Sequence, residues 1–455
     1  MMRKITLPIL TYCLLLFSPT IRAQDSTGLA NSRDTGQIVG PLVWTLQNCL
    51  DYARKNNIQL NTLRLTQESN EQDVLQARAQ KLPNLSGSAS ESYTHSKNAN
   101  PVVGGFQTQS SFASNYSLNS GVTIYNADYL NNNIKQRQLV LQSAGLSIQQ
   151  AENDMTLQIT QAYLSILVAK ESIVYQQDLV NTSTAQVEQA QKRYNAGSIA
   201  RGDLVQLQAQ QANDRYLLVT AQSAYRQNIV NLKQLLQLQV DSFSVVSPDT
   251  LIATALVTPL KNAQDIALQS RPEIKNGQLG IAISQLDVEK ARAGFFPVLS
   301  ASGSLSTGYS NNQSFTYLSQ LDNNFFQGVG ITLSIPIFSN RLNRTNLEKS
   351  KIEVLQSTLT LQSTKTALMQ TIELAYINVV NAQSQYGAAV EQLNAAQESY
   401  RIATEQLKVG VVNIVSLLQQ KNLYVQALQA YVQAKYSAVM SVKIYDFYTG
   451  VPIKL

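Results

Sequence analysis

The stretch ARAQKLPNLSGSAS beginning at Ala77 returns as ARAGFFPVLSASGS at Ala291, with eight of fourteen letters identical. The same offset of 214 relates Asp51 to Asp265, and an offset of 213 relates Ile124-Tyr125 to Ile337-Phe338, Ala162-Tyr163 to Ala375-Tyr376 and Gly197 to Gly410. One long unit is written twice, over roughly residues 44–240 and 258–450, with 241–257 between them and a short tail at 451–455. Whatever the chain folds into must be built from two similar halves.

Each half alternates helix and strand. Leu46 to Leu82 reads as helix, rich in Gln, Leu and Ala, until Pro83 removes an N–H, as Pro297 does in the second half. The period then drops to two. Leu85, Gly87, Ala89 and Tyr93 alternate with Ser86, Ser88, Ser90 and Ser92; Leu299, Ala301, Gly303 and Leu305 alternate with serines at 300, 302, 304 and 306. A second strand follows in each half, carrying Tyr116, Leu118, Val122 and Ile124, or Val329, Ile331, Leu333, Ile335 and Ile337. The spacing predicts strands at about 84–96, 113–125, 298–309 and 326–338, joined in pairs by polar loops from Lys97 to Ser111 and from Ser310 to Asn324.

Four strands are too few to enclose a lumen, since about eight are needed even around packed side chains. Left open, they bare their edges. Either a four-stranded domain protects its own edges, or several chains pool strands into one barrel. Apolar-out, polar-in strands of about ten residues suit a membrane barrel with a wet interior. The helices favour pooling. Asn126 to Ala196 contains no proline and only Gly145, so at about 1.5 Å per residue it runs on the order of 100 Å. Its seam of Ile148, Met155, Ile159, Ala162, Ile166, Ala169 and Ile173 has heptad spacing and recurs as Leu361, Leu368, Ile372, Ala375, Val379, Ala382 and Tyr386. Helices this long must lie beside neighbours, and polar faces of low charge suit the wall of a water-filled tube.

Other classes find little support. Arg3 and Lys4, an apolar run from Ile5 to Phe17, and Ile21-Arg22-Ala23 read as a signal peptide over 1–23, followed by a leader over 24–43 with no core-forming pattern. Cys13 lies too early for a lipidated N-terminus, and processing leaves only Cys49, so no internal disulfide forms. Arg3, Lys4 and Arg22 leave with the signal, which lowers the net charge from +6 to +3, too little to argue for nucleic acid. One histidine, His95, and no nucleophile set, phosphate loop or metal-ligand spacing argue against an enzyme and call for no metal or cofactor. After the signal, no apolar run is long enough for a membrane helix, so a membrane would have to be crossed by a closed sheet. The alternative from a different class is a periplasmic coiled-coil structural or adaptor protein that never enters a bilayer.

Each long helix ends at a glycine, in RYNAGSIARGDL around Gly197 and in QLKVGVVNIVSL around Gly410. New helices are expected from Asp203, placed to cap the first, and from near Ser416. Ile199, Val411 and Val412 are expected to stand exposed at these hairpin tips.

The order helix, proline, strand, loop, strand, long helix, glycine tip, returning helix, written twice, resembles the TolC-like outer membrane efflux proteins of Gram-negative bacteria over about residues 44–450. The duplicated ARAxxxPxLSxSxS, SIPIFS and RYNAGSIARGDLVQLQAQ carry the resemblance. It implies a mixed α and β membrane protein, a homotrimer whose chains each give four strands to one 12-stranded outer-membrane barrel continuous with a periplasmic α-helical coiled-coil barrel. It also implies contact with outer membrane lipid, a periplasmic adaptor docking at the tips and an inner membrane pump of RND or ABC type. Gly197, Ser198, Ile199, Gly410, Val411 and Val412 occupy the docking-tip positions. Arg201, Asp203, Leu407, Ser416 and Gln419 fall at the periplasmic gate. Asp203 matches an aspartate of the archetype, whereas Ser416 and Gln419 replace two pore-ring aspartates and Leu407 replaces an aromatic gating residue.

Overall fold

The computed structural model describes residues 43–99, 104–238, 243–247 and 256–453. The expected signal peptide, nearly all of the leader, the tip of the first strand loop, much of the linker and the last two residues lie outside the described residues.

The first half runs β1 (Val43–Trp44), α1 (Leu46–Asn56), α2 (Ile58–Ala79), β2 (Asn84–Ala99), β3 (Phe106–Tyr125), α3 (Tyr129–Asn195) and α4 (Arg201–Leu236). The rest runs β4 (Ser244–Val245), α5 (Leu260–Ser270), α6 (Pro272–Ala293), β5 (Val298–Ser310), α7 (Tyr317–Asn323), β6 (Phe326–Ser334), α8 (Leu342–Lys408) and α9 (Ile414–Tyr448). The single helix expected from Leu46 to Leu82 is two. Asn57 leaves helical geometry at ψ 125°, and its side chain accepts from the N–H of Leu60 to cap α2. In the second half Pro272 produces the same break, because it disfavours helical geometry at Arg271 before it.

The sheet is antiparallel in the order β2-β3-β5-β6. Leu85, Leu118, Leu305, Val329, Ile331 and Leu333 fall on one face, and Ser88, Ser117, Ser302, Ser304 and Thr332 on the other. Three expectations shift. β2 and β3 extend to Ala99 and start at Phe106, so the first hairpin is longer than predicted. β6 stops at Ser334, leaving Ile335 and Ile337 outside it, because Pro336 has no ladder N–H. A bulge between Thr123 and Tyr125 takes Ile124 out of register and sets Tyr125 opposite Leu299. The expected second loop also contains α7.

Below the sheet the helices keep the strand order: α2 packs on α3, α3 on α6 and α6 on α8. The α3 and α8 helices are each 67 residues long, about 100 Å. Along the predicted seams Ile148, Met155, Ile159, Ile166 and Ala169 are buried, as are Leu361 through Ala382 of the second set, while Ala162, Ile173 and Tyr386 are half-buried. A mid-height core gathers Trp44, Cys49, Leu50, Tyr163, Leu232 and Leu236, with Val245 of β4 and Ile453 near the C-terminus. There the Tyr163 hydroxyl lies 3.1 Å from the Trp44 carbonyl and 2.6 Å from that of Val246, tying α3 to the short parallel β1–β4 pair.

The turn from strand to helix is made alike in both halves. Ala127 and Asp128 have φ of 50° and 62°, and Asn340 and Arg341 have 47° and 66°. Two successive left-handed residues reverse the chain at the end of the strand. None is glycine, so Ala127 and Arg341 are strained by about 1–2 kcal/mol each, and Asp128 and Asn340 by less because short polar side chains tolerate this region. Arg341→Val should therefore lower the stability of the folded chain by about 1–2 kcal/mol, and Arg341→Gly should not lower it, as read by chemical denaturation in detergent.

Candidate functional site

The two hairpin tips close by the same local chemistry. Gly197 has φ +70°, with its N–H on the Tyr194 carbonyl and that of Ser198 on the Arg193 carbonyl, both at 2.9 Å. Gly410 has φ +78°, with its N–H 3.2 Å from the Leu407 carbonyl and that of Val411 2.9 Å from the Gln406 carbonyl. Only glycine takes this backbone without strain, which ends both long helices by the same turn.

The returning helices start differently, and the expected Asp203 cap is corrected. Ala200, not Asp203, is the N-cap of α4, and it offers no side-chain acceptor; Asp203 sits inside the first turn, where a negative charge favours the helix dipole. The α9 helix begins at Ile414, ahead of Ser416. Its cap is Asn413, whose side-chain oxygen accepts from the Ser416 N–H at 2.9 Å and from the Ser416 hydroxyl at 3.0 Å. The spacing Asn-x-x-Ser carries that signal in the sequence.

Exposure at the tips is also unequal. Ile199 was expected to stand free, yet it is half-buried against a cluster of Ala190, Leu204, Leu207 and Ile414, which Leu407 also joins. Val412 is half-buried, and Asp203 and Ser416 likewise, while Gly197, Ser198, Gly410, Arg201 and Gln419 are exposed. Val411 is 69% exposed, and Val409 at 75% stands beside it. The open apolar tip surface therefore belongs to the second hairpin.

Farther from the tips, Lys421 of α9 donates to Asp214 of α4 at 2.7 Å, with side-chain exposures of 0% and 1%. Gln210 donates to the other Asp214 oxygen at 2.8 Å. Beside them Tyr400 stacks on Tyr424 at 5.6 Å, and burial pushes the Tyr400 hydroxyl above its ordinary pKa. At mid-height a cavity of about 970 Å³ is lined by Leu46, Arg54, Thr156, Arg271, Phe447 and Ile453, among others. Arg271 pairs with Glu273 at 3.0 Å and lies over the Phe447 and Tyr448 rings at 4.8 and 5.0 Å. Burial, then the Glu273 charge, raise the Asp154 carboxyl above the usual range, while Arg271 opposes. The Cys49 thiol is pushed up to about 12 by burial. These groups have the character of packing and ion pairing, not of a reacting centre. Among the described residues, no helix is long and apolar enough to cross a membrane.

The family described as outer membrane efflux protein matches residues 49–237 and 264–443, one match in each half. The chain belongs to that family. It is an outer membrane channel of the efflux and secretion type, reaching into the periplasm, and the family is one of channels rather than enzymes. The chain is 22% identical over 416 residues to outer membrane protein TolC of Escherichia coli (strain K12), covering 87% of this chain and 80% of that one. It is 23% identical over 330 residues to the pyoverdine export outer membrane protein OpmQ of Pseudomonas aeruginosa, covering 69% and 66%. Among solved structures, CusC shares the fold with a TM-score of 0.76 at 19% identity, over 90% of this chain and 92% of that one. The CmeC channel of Campylobacter jejuni gives 0.74 at 18% identity, over 89% and 86%.

The Asp214–Lys421 pair escaped the sequence reading because each charge occurs in one half only. Shifted by 213, Asp214 meets Ala427 and Lys421 meets Gln208, so the duplication hides the pair. Removing one partner leaves a buried unpaired charge. Lys421→Met should cost about 3–5 kcal/mol, and Asp214→Leu with Lys421→Met together should restore most of it; a double-mutant cycle in denaturant measures both.

Proposed function

We propose that three copies of this chain close one twelve-stranded barrel and one helical tube, forming the outer membrane duct of a tripartite efflux or type I secretion system. The observation that carries this reading is a strip with two bare edges. Among the described residues, β2 and β6 have no strand beyond them, and α2 and α8 have no helix beyond them, in the same order and at the same two edges. Leu65 and Leu75 of α2, and Leu355 and Leu359 of α8, are each more than half exposed along those edges. Copies joined head to tail pair β6 with β2 and α8 with α2, so that residues 44–240 and 258–450 become two staves of one wall. A coiled-coil adaptor that stays in water gives no reason for Val329 at 92% and Ile331 at 72% exposure on a sheet face.

In this reading the tips dock a periplasmic adaptor, through the exposed glycine turns at Gly197-Ser198 and Gly410-Val411. An inner membrane pump then loads the duct. OpmQ is named for pyoverdine export, and AprF of Pseudomonas aeruginosa, 22% identical over 305 residues, for alkaline protease secretion. Both small and protein cargo therefore suit ducts of this kind, and selection falls to the pump. The entrance closes by inward coiling of the second hairpin. Arg201 and Asp203 supply its charge, while Ser416 and Gln419 stand where an acidic ring is absent and Leu407 packs the tip. With Ala200 as the cap, Asp203 has no capping duty that competes with this role.

The duplication predicts the joint between copies. Within the chain Asn119 of β3 faces Ser304 of β5; shifting by 213 and 214 sets Thr332 of one copy against Ser90 of the next. Thr332→Cys combined with Ser90→Cys should form intermolecular disulfides on mild oxidation, giving a covalent ladder that ends at three chains. No bond, or a ladder running past three, contradicts the closed trimer. For the gate, Asp203→Asn should raise single-channel conductance in planar bilayers while leaving assembly intact; an unchanged conductance removes Asp203 from it.

A further inference from the structure

The α7 helix, Tyr317–Asn323, has no counterpart among the described residues of the first half, where β2 runs on to Ala99 and β3 starts at Phe106. Its position is fixed by side chains. The Thr307 hydroxyl donates to the Leu321 carbonyl at 2.6 Å, and the fully buried Gln320 accepts from the Ser310 N–H at 2.8 Å. The hydroxyls of Tyr116 and Tyr317 meet at 3.0 Å, and the Tyr309 and Tyr317 rings are 5.0 Å apart.

Those contacts also decide which side of the sheet it covers. Tyr116 faces Thr307 and Ser114 faces Tyr309, two and four residues beyond the facing pair Leu118 and Leu305. With a side-chain period of two, all of them share the apolar face. Ser114 on that face is 1% exposed. The helix therefore lies against the same face as Leu85, Val329 and Ile331, opposite the serine ladder.

Height follows from strand geometry. Thr307 comes nine residues after Val298, the first residue of β5, about 30 Å along the strand at 3.3 Å per residue. Tilted by about 45°, that is a rise of roughly 20 Å, close to the roughly 25 Å apolar band of outer membrane barrels. The band therefore ends near α7. Its outward side shows Phe315 at 63% and Leu318 at 76% exposure, with Phe325 at 56%, and Ser310 to Phe326 contains one charged residue, Asp322.

We propose that α7 is an interfacial anchor: Phe315 and Leu318 enter the acyl boundary of the outer leaflet, beside the barrel rather than over its mouth. This rests on the barrel reading, because the apolar face must meet lipid before its upper rim can. Aromatic rings of Tyr116, Tyr309 and Tyr317 then form the outer girdle, and the strapped helix fixes how deep the barrel rides.

The test uses a nitroxide attached at Leu318→Cys, Phe315→Cys, Val329→Cys or Ser304→Cys in the full chain reconstituted into phosphatidylcholine vesicles. Cys49 is fully buried and escapes labelling in the folded protein. Collisions with oxygen and with a neutral nickel chelate are read by power saturation. Labels at 315, 318 and 329 should favour oxygen several-fold over the ratio at 304, with 315 and 318 shallower than 329. If 329 favours oxygen but 315 and 318 match 304, α7 stands in water or over the pore and the anchor is wrong while the barrel survives. Labels at 315 and 318 shielded from both reagents mean that protein covers them, which also overturns it. Failure at 329 itself defeats the barrel reading.

Discussion

Backbone hydrogen bonding at the edge of a sheet governs this molecule. In hydrocarbon every unsatisfied N–H or C=O costs several kcal/mol, so a sheet that meets lipid cannot keep an open edge. The chain brings four strands, with β2 and β6 at the margins and nothing beside either of them among the described residues. The long helices grow out of the same four strands in the same order, so the edge problem is transmitted down their length. One cause thus couples the sheet and the helical layer: whatever completes the ladder at the edge also sets a neighbour against α2 and α8. The heptad seams supply the packing, and the ladder supplies the register.

In the proposed trimer, duplication makes such a joint economical, since the contact between halves inside a chain serves as the pattern for contact between chains. It also shows where equivalence has been broken. The strand-to-helix turns are nearly identical, with two left-handed residues in each half. The tips are not: Asn413 caps one returning helix while Ala200 leaves the other without a side-chain acceptor, and Val409 and Val411 stand exposed at the second turn while Ile199 is half-buried at the first. The two tips of one chain therefore present different surfaces.

Much of this was legible in the letters because the signals were long and periodic. Pro83 and Pro297, the serine alternation, the heptad seam and the two glycine turns each have one dominant physical reading, and they fall where strands, long helices and tips are found. What escaped depended on single residues whose partners are distant. The break at Asn57 needs no proline, because a side-chain cap for α2 competes with one more helical turn. The burial of Ile199 depends on Leu204, Leu207 and Ile414 closing over it, and Ile414 comes from the other half. Pro336 was visible, but its effect on the last strand was outweighed in the reading by the apolar alternation around it.

The Asp214–Lys421 pair shows why one charged contact matters in a wall built mostly of small and aliphatic side chains. A seam of Ala, Ile, Leu and Val repeats every seven residues, so a slip by one heptad exchanges one adequate set of contacts for another. An ion pair exposed by 1% or less does not repeat. Any slip between α4 and α9 separates the two charges without returning either to water, a penalty of about 3–5 kcal/mol that the aliphatic seam alone does not impose. Replacement by well-packed apolar residues need not destabilise the fold, but it removes the discrimination against the slipped state. The pair thus specifies how the two hairpins sit against each other, and with them the relative height of two tips that differ in what they expose.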